Sequence, residues 1–254
     1  MKKYISLTLI VCLFLSLIGC TNNSNEELLV AAAASLKNCL EEELIPLFNE
    51  RNPDIKVNTT YDSSGKLQTQ IEEGAEVDVF MSAAVKQMNA LDEKGLIADN
   101  SIVELLENKV VLIEPIGSKL EINTFEDILK ADKIAIGDPD SVPAGQYAKE
   151  ALVNMNIWDQ AKFKASLGTN VTEVLNWVSE GSADTGIVYS TDAANSDKVR
   201  IVAEAPKDSV SKVIYPVGIV KASKNKDEAK LFVEFLQSDE ALIIFEKYGF
   251  TTNK

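Results

Sequence analysis

Histidine is absent from all 254 residues. That removes the side chain most used for proton transfer near neutral pH, and with it the commonest metal ligand. Cysteine is almost as scarce, at three residues, Cys12, Cys20 and Cys39. So small a number builds no disulfide framework and no thiolate metal cluster. Positive charge is in deficit: 25 Lys and Arg stand against 39 Asp and Glu, a formal net charge of −14. A surface this acidic argues against nucleic acid as a partner and against an electrostatically held membrane helix. It also means that an anionic ligand must be attracted locally, against the field of the whole protein. Glycine (12) and proline (7) are few, and there is no linker rich in either, no internal repeat and no low-complexity tract. What remains is a globular composition, 46% hydrophobic and 25% charged, long enough for one large domain or two modest lobes.

The first twenty residues carry an address. Lys2 and Lys3 form a positive end, Ile5 to Ile18 an apolar core, and Gly19 a small residue before a cut. The core is too short for a comfortable transmembrane helix. Its end, Leu17-Ile18-Gly19-Cys20, resembles the bacterial lipoprotein processing box, which implies a signal peptide over residues 1–19 and a lipid on the Cys20 sulfur. Residues 20–26 are polar and unpatterned and suit a tether. Without the leader's two lysines, 23 basic residues face 39 acidic ones, a mature charge of −16. Cys12 leaves with the leader and Cys20 is lipidated, so Cys39 remains unpaired, a small buried hydrophobe in a helical pattern.

The stretch Gly137 to Leu152, GDPDSVPAGQYAKEAL, shows how the rest of the chain is built. Ile134-Ala135-Ile136 reads as a short buried strand, and Tyr147, Ala148, Ala151 and Leu152 recur at helical spacing. Pro143 occupies the first helical position, where a missing N–H costs nothing, and Asp140 or Ser141 is the expected cap. The N–H groups of Ala144 and Gly145 then open toward the strand's carboxyl end. The same device recurs. Leu28 to Ala33 is an apolar run leading to Ser35, a natural N-cap before Leu36, Leu40, Leu44 and Phe48. Ile55 to Tyr61 alternates as a strand and turns through Asp62-Ser63-Ser64-Gly65 into a helix with Leu67 and Ile71. Asn170 precedes Val171, Val174 and Val178, with Glu173 as capping-box partner. Gly186 to Tyr189 is a buried strand ending in a phenol.

Further strands are expected at Val77 to Met81, Lys109 to Glu114, Val199 to Val202 and Val213 to Val220. Helices are expected at Ala84 to Lys94, Phe125 to Ala131, Lys226 to Gln237 and Asp239 to Tyr248. Strands alternating with helices predict an α/β protein with largely parallel sheets, which bind ligands at the carboxyl ends of their strands. Five places then converge chemically: Ser35, Ser64 with Ser63, Ala144, Val171 beside Asn170, and Tyr189. Donors dominate and no cation is required, a set that suits a small oxyanion.

AAAASLKN at Ala31 to Asn38, YDSSGKLQTQIEEGAEVDVFMSA at Tyr61 to Ala83, GDPDSVPAGQYAKEAL, DTGIVYSTDA at Asp184 to Ala193 and FEKYGFT at Phe245 to Thr251 closely resemble the molybdate-binding proteins of bacterial ABC importers. The resemblance covers the chain after the tether. It implies a type II periplasmic-binding-protein fold, two α/β lobes joined by two crossings near Val110 and Tyr215. Lobe 1 would then be residues 27–110 with 215–254, and lobe 2 residues 111–214. It also implies a molybdate or tungstate oxyanion held by Ser35 and Ser64 from the first lobe. Backbone N–H groups of Ala144 and Val171 and the hydroxyl of Tyr189 would hold it from the second. No cofactor and no metal cation are implied. The implied partner is a membrane permease, and the implied state is an extracytoplasmic, lipid-anchored monomer. Gly65 departs from relatives that carry a third serine, which implies a lost donor and a loosened start to the helix. No carboxylate is expected among the ligand contacts, and Lys66 is expected to be dispensable.

Two alternatives remain at this point. One is a binding protein for another oxyanion such as sulfate. The other is an acyl-transfer enzyme, because Ser63-Ser64-Gly65-Lys66 contains the Ser-x-x-Lys spacing of penicillin-binding proteins.

Overall fold

The computed structural model describes residues 26–253. The leader, the tether to Asn25 and the proposed lipidation site Cys20 lie outside the described residues. The chain first lays down β1 (Glu26–Ala33), β2 (Ile55–Asp62), β3 (Val79–Met81) and β4 (Val103–Asn108). It crosses at Lys109 and builds a second sheet from β5 (Val110–Pro115), β6 (Ile134–Gly137), β7 (Ala165–Gly168), β8 (Thr185–Tyr189) and β9 (Val199–Glu204). It then returns to the first sheet with β10 (Val213–Ile219) and β11 (Thr251–Thr252). The strand orders are β11-β4-β10-β3-β1-β2 and β7-β6-β8-β5-β9.

Both sheets are mixed, which corrects the expectation of largely parallel ones. β1 runs parallel to β2 and β3, and β6 parallel to β7 and β8. β10 runs antiparallel to β3 and β4, and β5 antiparallel to β8 and β9. The exceptions are β5 and β10, with which the chain arrives from the other sheet, and the short closing strand β11, antiparallel to β4. Hydrophobic periodicity shows that a segment is a strand but not which way its neighbour runs. The parallel sets matter for function, because β1 and β2 of one sheet and β6, β7 and β8 of the other each end in a turn that the sequence marks.

The segment after β1 shows how local chemistry shapes the backbone. Leu36, Leu40, Leu44 and Phe48 are fully buried, as their spacing predicts. The helix is not uniform: a tight turn at Ala34–Leu36 passes through a wide turn at Leu40–Leu44 before a regular helix at Ile45–Arg51. Pro46 supplies the reason, since it has no N–H to offer the preceding turn and its ring crowds the carbonyl four residues back. Phe48 packs edge-on against Phe232, with ring centroids 5.0 Å apart, and against Phe235. That contact fastens the Lys226–Leu236 helix to the first sheet's layer. Cys39 is buried, its thiol donating to the Leu36 carbonyl at 3.1 Å, and burial pushes its pKa far up. It is an inert core residue.

Candidate functional site

The carboxyl ends of the parallel strands face one another across a narrow cavity of about 200 Å³, counting its open mouth. Ser35, Ser64, Ala144, Val171 and Tyr189, read from the sequence as convergent, all line it. Ser35 and Ser64 come from turns after β1 and β2. Ala144, Val171 and Tyr189 come from the ends of β6, β7 and β8.

Each arrives by its own local device. Ser35 is not an N-cap, contrary to expectation: Ala33 holds that position and Ser35 lies inside the tight turn. Its hydroxyl instead meets the Tyr215 hydroxyl at 3.0 Å. Ser64 is the first residue of the Ser64–Glu72 helix, after Ser63 as N-cap. Its Oγ accepts the Ala83 N–H at 2.9 Å, so the helix start is tied to the turn after β3.

Ala144 follows Pro143 at the start of the Pro143–Asn154 helix, where N–H groups have no intrahelical acceptor. The cap there is Val142, with no side-chain bond, rather than Asp140 or Ser141. Asp138 closes the turn before the helix, its carbonyl accepting the N–H groups of Ser141 and Val142. Gly145 is required for the helix to sit this close to β6, since a Cβ on it would lie 2.0 Å from the Gly137 carbonyl oxygen. Val171 opens the Val171–Ser179 helix, and Asn170 caps it by accepting the Glu173 N–H at 3.0 Å. The Glu173 carboxylate returns to the Thr169 N–H at 2.6 Å, one residue earlier than the expected capping box.

Tyr189 ends β8 and is fully buried, stacked edge-on between Tyr147 and Tyr215. Its hydroxyl reaches the Ala83 carbonyl of the first sheet's layer at 3.4 Å. Burial raises its pKa well above the ordinary phenol value, so at neutral pH it is a donor. Its N–H donates to Asp192 at 3.2 Å. Burial pushes the Asp192 carboxyl up to about 7.

Two features at the site were not expected from the sequence. Among the described lining residues Asp62 is the one that carries charge. Its carboxylate is occupied, however, accepting the Ser63 N–H at 2.8 Å and the Lys66 ammonium at 3.2 Å. Lys66 is therefore the counter-charge of Asp62 and not a bystander, a pair that joins the last residue of β2 to the first turn of the helix after it. The same bond bears on the enzyme alternative. Lys66 is turned to Asp62, and the Ser63 Oγ is buried without a hydrogen-bond partner, so the Ser-x-x-Lys tetrad does not form a nucleophile–base pair. The second feature is Gly65. Its N–H donates to the Ser141 carbonyl of the opposite layer at 3.0 Å, and a Cβ there would lie 2.3 Å from that oxygen. The helix start is thus anchored rather than loosened. Gln87 and Gln146 bridge the same two layers at 3.2 Å.

A larger groove, about 1300 Å³ with its open mouth counted in the same way, lies at the far pole of the first sheet between Glu27, Ile71, Asp78 and Asn225. Its buried carboxylate, Asp78, is already satisfied by the Leu29 N–H, the Ser223 hydroxyl and the Asn225 amide. The Ser223 and Asn225 donors of its lining are thus spent on Asp78.

Comparison with known proteins adds the following. The family model described as bacterial extracellular solute-binding protein matches residues 28–251. A putative ABC transporter substrate-binding lipoprotein of Bacillus subtilis, YvgL, is 42% identical over 98% of this chain and 98% of its own length. The molybdate-binding protein ModA of Haemophilus influenzae is 37% identical over 99% of each chain. A solved structure, the substrate-binding domain of a putative molybdenum ABC transporter from Clostridium difficile, superposes with a TM-score of 0.69 at 41% identity. It covers 90% of this chain and 99% of that one.

Proposed function

Because this chain belongs to the family of bacterial extracellular solute-binding proteins, we propose that the cavity between its two sheets captures molybdate outside the cytoplasm for delivery to the membrane permease of an ABC importer. The fold is the two-lobed type II arrangement of that family, and each sheet is the core of one lobe. We take the lobes at the ends of the sheets, residues 26–109 with 213–254, and 110–204, within two residues of the crossings expected from the sequence. Tungstate, a tetrahedral dianion of nearly the same size, is bound alike.

The observation that carries this reading is the character of the cavity: hydroxyls and helix-start N–H groups from both layers, with no lysine or arginine among its described lining residues. A dianion with no proton can accept from every such donor, and donors fixed in a low-dielectric site need no reorganisation. Backbone N–H groups cannot accept. Phosphate keeps at least one proton at pH 7, and a buried O–H facing donors costs about 1–3 kcal/mol. Sulfate passes the proton test but is smaller, and donors on rigid helix starts do not all close on it. The expected order is molybdate and tungstate first, sulfate far behind, phosphate last.

Calorimetric competition among the four anions at pH 7 tests this. Phosphate binding as tightly as molybdate would overturn it, and would point to Asp62 as an acceptor released from Lys66. The finer assignments belong to the same proposal: a lipid on Cys20 that holds the protein at the outer face of the cell membrane, and action as a monomer.

A further inference from the structure

A serine hydroxyl can donate or accept, so a site built on serines is selective only if something sets their direction. For Ser64 the Ala83 N–H does so: it donates to Oγ, which leaves the hydroxyl hydrogen for the cavity. Ser35 has no backbone donor of this kind. Its partner is the Tyr215 hydroxyl at 3.0 Å, a contact that on its own runs in either direction. The direction is set one residue further back. The Asn108 side-chain oxygen accepts the Lys109 N–H at 2.8 Å. A backbone N–H can only donate, so the amide atom facing it must be the oxygen. The Ser190 hydroxyl donates to the same oxygen at 2.9 Å. The Asn108 nitrogen therefore faces the other way and donates to Tyr215 at 3.1 Å and to Thr191 Oγ1 at 2.9 Å. Tyr215 is fully buried and accepts from Asn108, and the Tyr189 hydroxyl, kept protonated by burial, is a donor toward the same oxygen, so the one hydrogen of Tyr215 goes to Ser35. Ser35 accepts, and its own hydrogen points to the cavity.

We propose that Asn108 and Tyr215 are positioning residues that fix the Ser35 hydroxyl as a donor to the bound oxyanion, and so exclude oxyanions that carry a proton. The inference rests on the oxyanion reading above and deepens it. The Ser35 hydroxyl thereby ends a chain of hydrogen bonds with one polarity, starting at a backbone N–H and ending at the ligand. Neither residue touches the cavity, and they are 107 positions apart in sequence.

The test uses the full chain and its Tyr215→Phe variant, titrated with molybdate, sulfate and phosphate at pH 7. Without the phenol hydrogen, Ser35 is free to turn and accept from a phosphate O–H. Molybdate affinity should fall by about three- to tenfold, while the preference for molybdate over phosphate narrows by about tenfold. The preference over sulfate, which has no proton, should hold. A phosphate preference unchanged from wild type, or a sulfate preference that narrows equally, would overturn the proposal. Wild-type protein that binds phosphate as well as molybdate would instead overturn the molybdate reading on which the proposal rests. Asn108→Asp is an independent arm and decides alone if the first variant does not fold. A carboxylate at position 108 accepts from Tyr215 and turns the relay around, so molybdate affinity should drop by about tenfold or more. Wild-type affinity in that variant would equally overturn the proposal.

Discussion

Gly65→Ala should raise the stability of the free protein and weaken its grip on the ligand. Gly65 is the second residue of a helix, and alanine there is favoured by about 0.5–1 kcal/mol when nothing opposes its methyl group. With the two layers in contact, something does. The added Cβ would lie 2.3 Å from the Ser141 carbonyl oxygen and 2.9 Å from two more atoms of that backbone. Backbone on a rigid turn does not swing aside as a side chain would. Overpacking of this kind costs about 1–3 kcal/mol. The Gly65–Ser141 hydrogen bond, worth about 0.5–1.5 kcal/mol, is strained or lost as well. Together the closed form loses about 1.5–4.5 kcal/mol relative to the open one, or about tenfold to a thousandfold in affinity. Thermal melting of the ligand-free protein and calorimetric titration with molybdate read the two effects separately. Small-angle scattering should show that saturating ligand contracts the wild type more than the variant. Affinity within about twofold of wild type would mean that the Ser141 contact is no part of ligand capture. A lowered melting temperature without ligand would mean that the layers are closed before ligand arrives.

The remaining expectations concern the ligand shell, its counter-charge, its pH dependence and the anchor. Ser64→Ala and Ser35→Ala each remove a donor to a charged ligand and should cost about 1.5–3 kcal/mol in binding by titration, with Tyr189→Phe at or below that range. Lys66→Ala leaves Asp62 unneutralised beside an anion, so it should weaken molybdate binding measurably but less than Ser64→Ala; no effect would mean that Asp62 is turned from the ligand. Burial raises the Asp192 carboxyl to about 7, against about 4 for an unfolded aspartate. The stability this group contributes is therefore complete below about pH 4 and lost as pH rises through about 7. Melting temperature should fall between pH 5 and pH 8, as should molybdate affinity from pH 6 to 8 as the carboxylate forms behind Tyr189. Asp192→Asn should flatten both slopes, and slopes that persist in the variant would assign them elsewhere. Cys20→Ser should release the protein from membranes or block its processing, because stable attachment needs more than one acyl chain; a processed variant that still fractionates with membranes would exclude the lipid.

The turns that build the cavity were legible because they rest on local rules. Strand, small or hydroxyl residue, then helix is a pattern with a reason at each position, and it marked all five residues that the fold brings together. Legibility stopped where partners are distant or signals weak. β7 is a four-residue edge strand with half-exposed Leu167, and β11 is two residues long, so neither produces an apolar run. β4 carries acids at both ends of its Leu105-Leu106 core and merges with the run that follows Lys109. Ser35 looked like a cap because serine before a helix commonly is one, whereas its hydroxyl is claimed by a tyrosine 180 residues away. Asn108 and Tyr215 belong to no motif and gain their meaning only from the crossings beside them. Gly65 read as a deficit, because the carbonyl that fills the space above it comes from the opposite lobe.

The placement of β10 has a consequence in time. It lies between β3 and β4, so the first sheet is divided until residues 213–219 are available. The second sheet draws on the contiguous stretch from Val110 to Glu204 and needs nothing made later. A chain emerging from a membrane channel amino end first would therefore finish its second lobe while β3 and β4 still present open edges, the kind of edge that invites misplaced pairing. The closing step joins segments far apart in sequence and is expected to be the slow one. A chain cut short before Val213 should fold half of itself and aggregate through the other half.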